Sequence, residues 1–172
     1  MMIHVKPSSR SLSDAQLHCE HKIMSVVIGK NGVTQDKQEG DHATPVGRFP
    51  LRNVFYRADR VKKPDTILPV VALTFQDGWC DDPAHPAYNQ KILLPHAARH
   101  ERLWREDHVY DLIVIIGYND EKIQAGRGSA IFMHLQREDK APTEGCVALT
   151  EEDLRQVLAD GATAIHIHAL KG

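Results

Sequence analysis

With 172 residues, the chain is long enough for one domain with its own hydrophobic core. Apolar residues make up 42% of it and charged residues 26%, which is ordinary for a globular protein, and its formal net charge of -2 argues against nucleic acid as a partner. No apolar run has the length that a transmembrane segment needs, and the longest, residues 112–116, suits a buried strand.

The N-terminal segment and the cysteines bear on the compartment. The first residues lack the basic start and apolar stretch of a secretory signal, so we expect either a cytoplasmic protein or a mature form. Cys19, Cys80 and Cys146 are too few and too scattered to predict a disulfide framework, and free thiols are consistent with a reducing compartment.

Short strand-like segments dominate the chain. Residues 16–29 are rich in Ile and Val and run into Gly29-Lys30-Asn31-Gly32, where the Asn-Gly pair favours a hairpin turn; this predicts two antiparallel strands or the end of one. Thr44-Pro45 and Gly47 then predict a turn that leads into another strand. Further strands are predicted at residues 70–75, 91–94, 112–118, 130–135 and 164–169.

One helix is predicted near the C-terminal end. Thr150 is a suitable N-cap, and Gly161 can end the helix. Three apolar residues between them share one face: Leu154, Val157 and Leu158. A second helix is predicted at residues 96–105. Many short strands with one or two short helices indicate a mainly β fold, a sandwich or barrel, with residues 1–172 as a single domain.

Cys146 is the candidate nucleophile. Gly145 permits a sharp turn, so that the amides of Gly145 and Cys146 can point into one concavity and stabilise an oxyanion. The alternative is a small buried hydrophobic residue. Among eleven histidines, His134 is the candidate base, because Ala130, Phe132 and His134 alternate onto one face of a predicted strand. The alternative for His134 is a partly exposed strand residue.

Two further patterns can be explained without a functional site. His166 and His168 alternate on one strand face, but a third ligand at a recognisable spacing is missing, so we predict a polar surface and no metal or cofactor. The stretch GWCDDPAHPAYNQ (78–90) is either a surface loop or a substrate wall containing Trp79 and Tyr88. Cys80 falls in this predicted loop.

Together these segments resemble the L,D-transpeptidase catalytic domain (YkuD-like) family, which acts on bacterial peptidoglycan. The strongest match is His134 followed by Thr143-Glu144-Gly145-Cys146-Val147, which is similar to the family's histidine, variable loop, Ser/Thr and Gly-Cys pattern. Supporting matches are KQEGDHATPVGRF (37–49) and YDLIVIIGYN (110–119). GWCDDPAHPAYN and GSAIFMH resemble one subgroup that often lacks accessory domains. The resemblance spans roughly residues 25–170.

This resemblance implies a mainly β, YkuD-like fold in which Cys146 is the nucleophile and His134 the base. The amides of Gly145 and Cys146 are the implied oxyanion donors, and Thr143 shapes the turn or assists through its hydroxyl. The candidate substrate-binding residues are Trp79, Tyr88, Asn89, Tyr118, Asn119, Arg127 and Glu144.

The implied activity is peptidoglycan transpeptidation. An acyl-enzyme formed with one stem peptide is transferred to an amine of another, giving a 3→3 or 1→3 crosslink, without a cofactor, with carbapenems as inhibitors and the periplasm or cell envelope as the location. The alternatives are an L,D-carboxypeptidase or amidase of the same fold and a non-catalytic peptidoglycan-binding module.

The sequence departs from the family pattern near the cysteine. Leu135 stands where glycine commonly follows the histidine, Glu144 replaces a frequent histidine, and Ala148 stands where Arg or Asn is usual. Arg127 and Arg137 are the candidates for a substitute positive charge.

Overall fold

In the computed structural model, which describes residues 1–170, the chain is built from short strands and one α-helix. The strands are β1 (Met2–Pro7), β2 (Asp14–Cys19), β3 (Lys22–Val27), β4 (Val33–Thr34), β5 (Thr44–Pro45), β6 (Gly47–Tyr56), β7 (Val70–Ala72), β8 (Asp77–Cys80), β9 (Lys91–Leu93), β10 (His100–Arg102), β11 (Leu112–Ile116), β12 (Phe132–Leu135), β13 (Val147–Leu149) and β14 (Ala164–Ile167). The helix α1 spans Glu151–Ala159. The predicted mainly β fold is confirmed.

The main sheet closes on itself. Its order is β11-β12-β13-β3-β2-β1-β14-β6-β7, and an additional pairing of β6 with β11 turns the strands from β11 round to β6 into a barrel. Strand β6 can do this because it is long: residues 47–50 pair with β14, and residues 51–56 pair with β11. Within this barrel, two pairs of adjacent strands run parallel: β1 with β14, and β12 with β13.

Strand β11 separates two hydrophobic cores. Leu112, Val114 and Ile116 belong to the main core. Ile113 and Ile115 alternate onto the other face and belong to a second core. Because both faces are covered, all five residues of this strand are buried, as its continuous apolar run predicted.

The second core lies between the barrel and a small antiparallel sheet of order β10-β8-β9. Trp79 and Leu103 come from this sheet and the segment after it, while Phe132 and Cys146 come from the barrel side. Cys146 therefore belongs to the outer face of the barrel wall and not to its interior.

Helix α1 packs on the main core. Leu154, Val157 and Leu158 are fully buried there, as their spacing predicted. The Thr150 hydroxyl accepts a hydrogen bond from the amide of Asp153 over 3.1 Å, which confirms the predicted N-cap. Gly161 has φ +82°, a conformation suited to glycine at a helix end.

The predicted helix at residues 96–105 is wrong. His100–Arg102 form strand β10, which pairs with β8 so that His100 lies opposite Cys80. Ala98 and Leu103 pack into two different hydrophobic clusters, so this segment has no single apolar face for a helix to bury. Cys80 accordingly lies in strand β8 and not in a loop.

Several strand boundaries also differ from expectation. The predicted strands at 70–75, 91–94, 112–118 and 164–169 end earlier, at Ala72, Leu93, Ile116 and Ile167. The hairpin between β2 and β3 turns at Glu20 and His21, whereas Asn31 and Gly32 lie in a turn after β3, closed by a 2.8 Å bond from the Gly32 amide to the Gly29 carbonyl. The predicted strand 130–135 begins at Phe132, because Ala130 has φ +53°, outside the β region.

Candidate active site

Cys146 lies directly before β13, with its sulfur held against the adjacent segment. Its Sγ donates to the carbonyl oxygen of Ala130 over 3.2 Å and accepts from the amide of Phe132 over 3.4 Å. The side chain is 8% exposed. The thiol is thus oriented by backbone groups at the start of β12.

Gly145 makes the turn that presents this thiol. Its φ of +139° is strained for any residue with a side chain, and a Cβ there would lie 2.9 Å from the carbonyl oxygen of Ala43 and 3.2 Å from Cδ1 of Ile131. The position therefore requires glycine, as the sequence pattern indicated.

The hydroxyl of Thr143 stabilises this turn through two hydrogen bonds. Oγ1 donates to the carbonyl oxygen of Cys146 over 2.7 Å and accepts from the amide of Gly145 over 3.1 Å. The amide of Gly145 is therefore engaged, whereas the structure records no hydrogen bond from the amide of Cys146 within residues 1–170. Of the two predicted oxyanion donors, the Cys146 amide is the available one.

His134 lies on the strand next to Cys146 and shares its face of the sheet. In the parallel pairing of β12 with β13, His134 is opposite Ala148, and alternation places Phe132 and Cys146 on the same side. His134 Nδ1 lies 2.9 Å from the carbonyl oxygen of Leu135, and because a carbonyl only accepts hydrogen bonds, Nδ1 carries the proton and donates it. Nε2 is left as the basic nitrogen, as a general base requires.

Burial sets the protonation states of both groups. It lowers the pKa of His134 to about 4, and burial together with the negative charge of Glu101 raises the pKa of Cys146 to about 12. At neutral pH the resting pair is a thiol and a neutral imidazole. The thiol bonds to Ala130, and no hydrogen bond joins Cys146 to His134 in the part of the chain described, so proton transfer requires the thiol to rotate.

Cys146, His134 and Thr143 open into one cleft of about 600 Å³. The charged side chains lining it are evenly mixed, with basic Lys37, Arg99, Arg105 and Arg137 and acidic Glu39, Asp81, Glu101 and Glu144. Ala148 contributes only a methyl group beside His134. The cleft can therefore bind a ligand that carries both ammonium and carboxylate groups.

Glu101 and Tyr110 form a contact in this cleft that sequence reasoning missed. The Tyr110 hydroxyl donates to Oε1 of Glu101 over 2.8 Å, and the Tyr110 ring lies edge-on to His134 at 5.3 Å between centroids. Burial raises the pKa of Glu101 to about 7. In the sequence, the run HERLWREDHVYD (100–111) combines acidic, basic and aromatic residues, as binding sites often do. The helix predicted for residues 96–105 is incompatible with the strand that carries Glu101, so this contact was not predicted.

Of the predicted substrate-binding residues, Glu144 lines the cleft, with its side chain 85% exposed. The other six lie outside that lining: Trp79, Tyr88, Asn89, Tyr118, Asn119 and Arg127. Several of them bond to one another.

These bonds form a framework beside the cleft. Trp79 Nε1 donates to Oδ1 of Asn89 over 3.0 Å, and Asn89 Nδ2 donates to the carbonyl oxygens of Tyr118 and Asn119. Tyr88 reaches the cleft indirectly, because its hydroxyl bonds to Glu39, which lines it.

The two arginines considered as substitute charges are placed differently. Arg137 lines the cleft and pairs with Asp139 at 3.2 Å. Arg127 pairs with Asp36 at 2.8 Å, outside the lining.

The arrangement of the turn and the histidine agrees with a comparison against known families. The model of the L,D-transpeptidase catalytic domain, YkuD, matches residues 3–161. The chain belongs to this family. Searches of curated proteins and of solved structures returned no significant match.

The match to the L,D-transpeptidase catalytic domain runs from β1 to the residues after α1. It therefore includes Cys146, His134 and all the charged residues that line the cleft. Within residues 1–170, no helix combines the length and apolar character required to span a membrane.

Proposed function

We propose that the protein is a peptidoglycan L,D-transpeptidase with Cys146 as its nucleophile. The observation that carries this proposal is that Cys146, directly before β13, and His134, on the neighbouring parallel strand β12, lie on one face of the sheet at one cleft. Family membership supplies the substrate class, the stem peptides of peptidoglycan, and with it action at the cell envelope.

Acylation begins when the thiol leaves Ala130. As Sγ attacks a stem-peptide carbonyl, Nε2 of His134 takes the thiol proton, and the Cys146 amide faces the developing oxyanion. The carbon–nitrogen bond then breaks, and the imidazolium returns its proton to the leaving amine. The product is a thioester between Cys146 and the donor stem.

Transfer reverses the proton movements. The amine of a second stem peptide attacks the thioester while His134 Nε2 accepts a proton from it. The new amide forms as the carbon–sulfur bond breaks, and the thiol regains its proton. The reaction needs no cofactor, since both steps exchange one acyl bond for another.

The mixed charge of the cleft supports a zwitterionic stem residue as the donor, such as meso-diaminopimelate. Basic side chains such as Arg137 can bind its carboxylate, and acidic ones such as Glu144 can bind its ammonium. Ala148 cannot hold a polar group, so these neighbours take over the role of the Arg or Asn usual at that position.

The direct test is mass spectrometry of the purified protein with stem tetrapeptides. We expect a thioester adduct on Cys146 and crosslinked dimers, and an adduct with a carbapenem. Cys146→Ala should form none of these three products. His134→Gln should be acylated about 10²–10⁴-fold more slowly than the parent protein. An adduct or turnover that persists in folded Cys146→Ala would refute the proposal. Digestion of sacculi, read by muropeptide mass, separates 3→3 from 1→3 links.

Hydrolysis is the second candidate, as in an L,D-carboxypeptidase or amidase. It is favoured by Ala148, whose side chain carries no polar group that could hold a stem peptide beside His134. Adding an acceptor amine distinguishes the two activities: crosslinked product identifies a transferase, and trimmed stem alone identifies a hydrolase.

The third candidate is a non-catalytic peptidoglycan-binding module. It is favoured by the Cys146 thiol, whose raised pKa and bond to Ala130 keep it protonated at rest. Binding of sacculi without any adduct from a stem peptide or carbapenem would identify this module.

A further inference from the structure

A cluster of three histidines lies outside the cleft lining, where strands from the two ends of the chain meet. In the parallel pairing of β1 with β14, His4 lies directly opposite His166. His168 follows His166 by two residues, and Nε2 of His168 lies 3.1 Å from Nδ1 of His4. One ligand nitrogen from each of the three lies within 4.8 Å of the others.

These spacings are close to what a metal ion needs. A tetrahedral zinc ion bonds imidazole nitrogen at about 2.1 Å, which places any two ligand nitrogens about 3.4 Å apart. The His4–His168 distance is already in that range, and a separation of up to 4.8 Å closes with small side-chain rotations. All three residues are partly exposed, so an ion can enter from solvent.

The geometry points to a binding site for a divalent transition-metal ion, with zinc as the test case, formed by His4, His166 and His168. The group is the one of its kind among the described residues, and it contains no carboxylate. Imidazole ligands suit zinc, copper and nickel, whereas magnesium and calcium require oxygen. Three protein ligands leave a fourth position for water.

Nearby charges limit the affinity. Arg48 on β6 lies opposite His166, and Lys6 follows His4 by two residues on the same face. Both repel a dication, so the site should bind zinc more weakly than one backed by carboxylates. His18 lies opposite His4 on β2 but is not in the group.

Binding changes the resting hydrogen bond. Whichever of His4 and His168 donates across the 3.1 Å contact must move that proton to its other ring nitrogen before both can coordinate. No proton or electron is lost, since neutral imidazole remains neutral. The ion would then join the first strand to the last.

The experiment is zinc titration by calorimetry of chelator-treated protein carrying Cys146→Ala, which removes the cleft thiol as a competing ligand. We expect one zinc per chain and a melting temperature raised by several degrees in excess zinc. His166→Gln, and separately His168→Gln beyond the end of β14, should each weaken binding by more than about tenfold. His21→Gln, in the β2–β3 turn, is the matched histidine control and should bind zinc normally.

Circular dichroism without zinc verifies that each variant is folded. The proposal is overturned if zinc, nickel and copper all fail to bind, or if binding is unchanged in folded His166→Gln and His168→Gln. Equal weakening by His21→Gln would overturn it as well, because the ion would then not be using this group.

Discussion

The hydroxyl of Thr143 donates a 2.7 Å hydrogen bond to the carbonyl oxygen of Cys146. The Thr143 hydroxyl oxygen in turn accepts a 3.1 Å hydrogen bond from the amide of Gly145. One side chain therefore bonds to both ends of the turn and leaves the Cys146 amide as the candidate oxyanion donor.

Removing that hydroxyl should impair both folding and acylation. We expect Thr143→Ala to lower the free energy of unfolding by about 1–3 kcal/mol, because two buried polar groups lose their partner. Acylation by a stem peptide should slow by roughly tenfold or more as the turn relaxes. Thr143→Ser keeps the oxygen and should retain most of both; equal losses in the Ser and Ala variants would contradict this role.

The thiol of Cys146 should react slowly with iodoacetamide at neutral pH. With its pKa raised to about 12, the thiolate fraction rises about tenfold per pH unit through the accessible range. A rate that levels off below pH 8 would instead show a preformed thiolate–imidazolium pair. Cys146→Ala corrects for Cys19 and Cys80, which are both buried.

His134 should make the protein less stable as the pH falls. Its folded pKa of about 4 lies below the ordinary value of 6.5, so between these values the unfolded state binds more protons. Stability present above pH 6.5 is then lost toward pH 4, by up to about 3 kcal/mol at 1.36 kcal/mol per unit. Urea unfolding at several pH values should show this loss in the parent protein and not in His134→Gln.

Glu101 should have the opposite effect over an overlapping range. Its folded pKa of about 7 lies above the ordinary 4.5, so its stabilising contribution is present below pH 4.5 and is lost as the pH rises to 7. Glu101→Gln can still accept from Tyr110 and should be more stable than the parent at pH 8, by up to about 3 kcal/mol at 1.36 kcal/mol per unit.

The same variant should also alter the thiol. Without the carboxylate, the pKa of Cys146 falls, and its alkylation at pH 8 accelerates. If Glu101→Gln changes neither the pH dependence of stability nor the alkylation rate, the carboxylate does not act on this cleft.

Two arginines provide a matched test of carboxylate recognition. Arg137→Gln should raise KM for a stem tetrapeptide about 5–10-fold, because a charge-assisted contact is lost in a partly solvated cleft. Arg127→Gln, outside the cleft lining, should leave KM unchanged. A larger effect from Arg127→Gln than from Arg137→Gln would contradict recognition of the substrate carboxylate by Arg137.

Local patterns account for what could be predicted from the sequence. Alternating apolar residues located the strands, Thr150 marked the helix start, and the Gly145–Cys146 turn follows from the need for positive φ. Each depends on residues a few positions apart.

Pairings between distant residues account for what could not. The closure of β6 on β11, the contact of Glu101 with Tyr110, and the meeting of His4 with His166 depend on strand neighbours that no local pattern reveals. For this reason sequence spacing gives His166 and His168 no third partner: His4 lies more than 160 positions away in the sequence and one strand away in space.

The β1–β14 pairing has a consequence for synthesis on the ribosome. Strand β1 emerges well before its parallel neighbour β14, which begins at Ala164, so this pair cannot form until the strands between them have left the exit tunnel. Until then β1 has an open edge on the side that β14 will occupy, a hazard for intermolecular strand pairing. Nascent chains stalled before residue 164 should therefore bind chaperones more than chains stalled far enough downstream to expose β14.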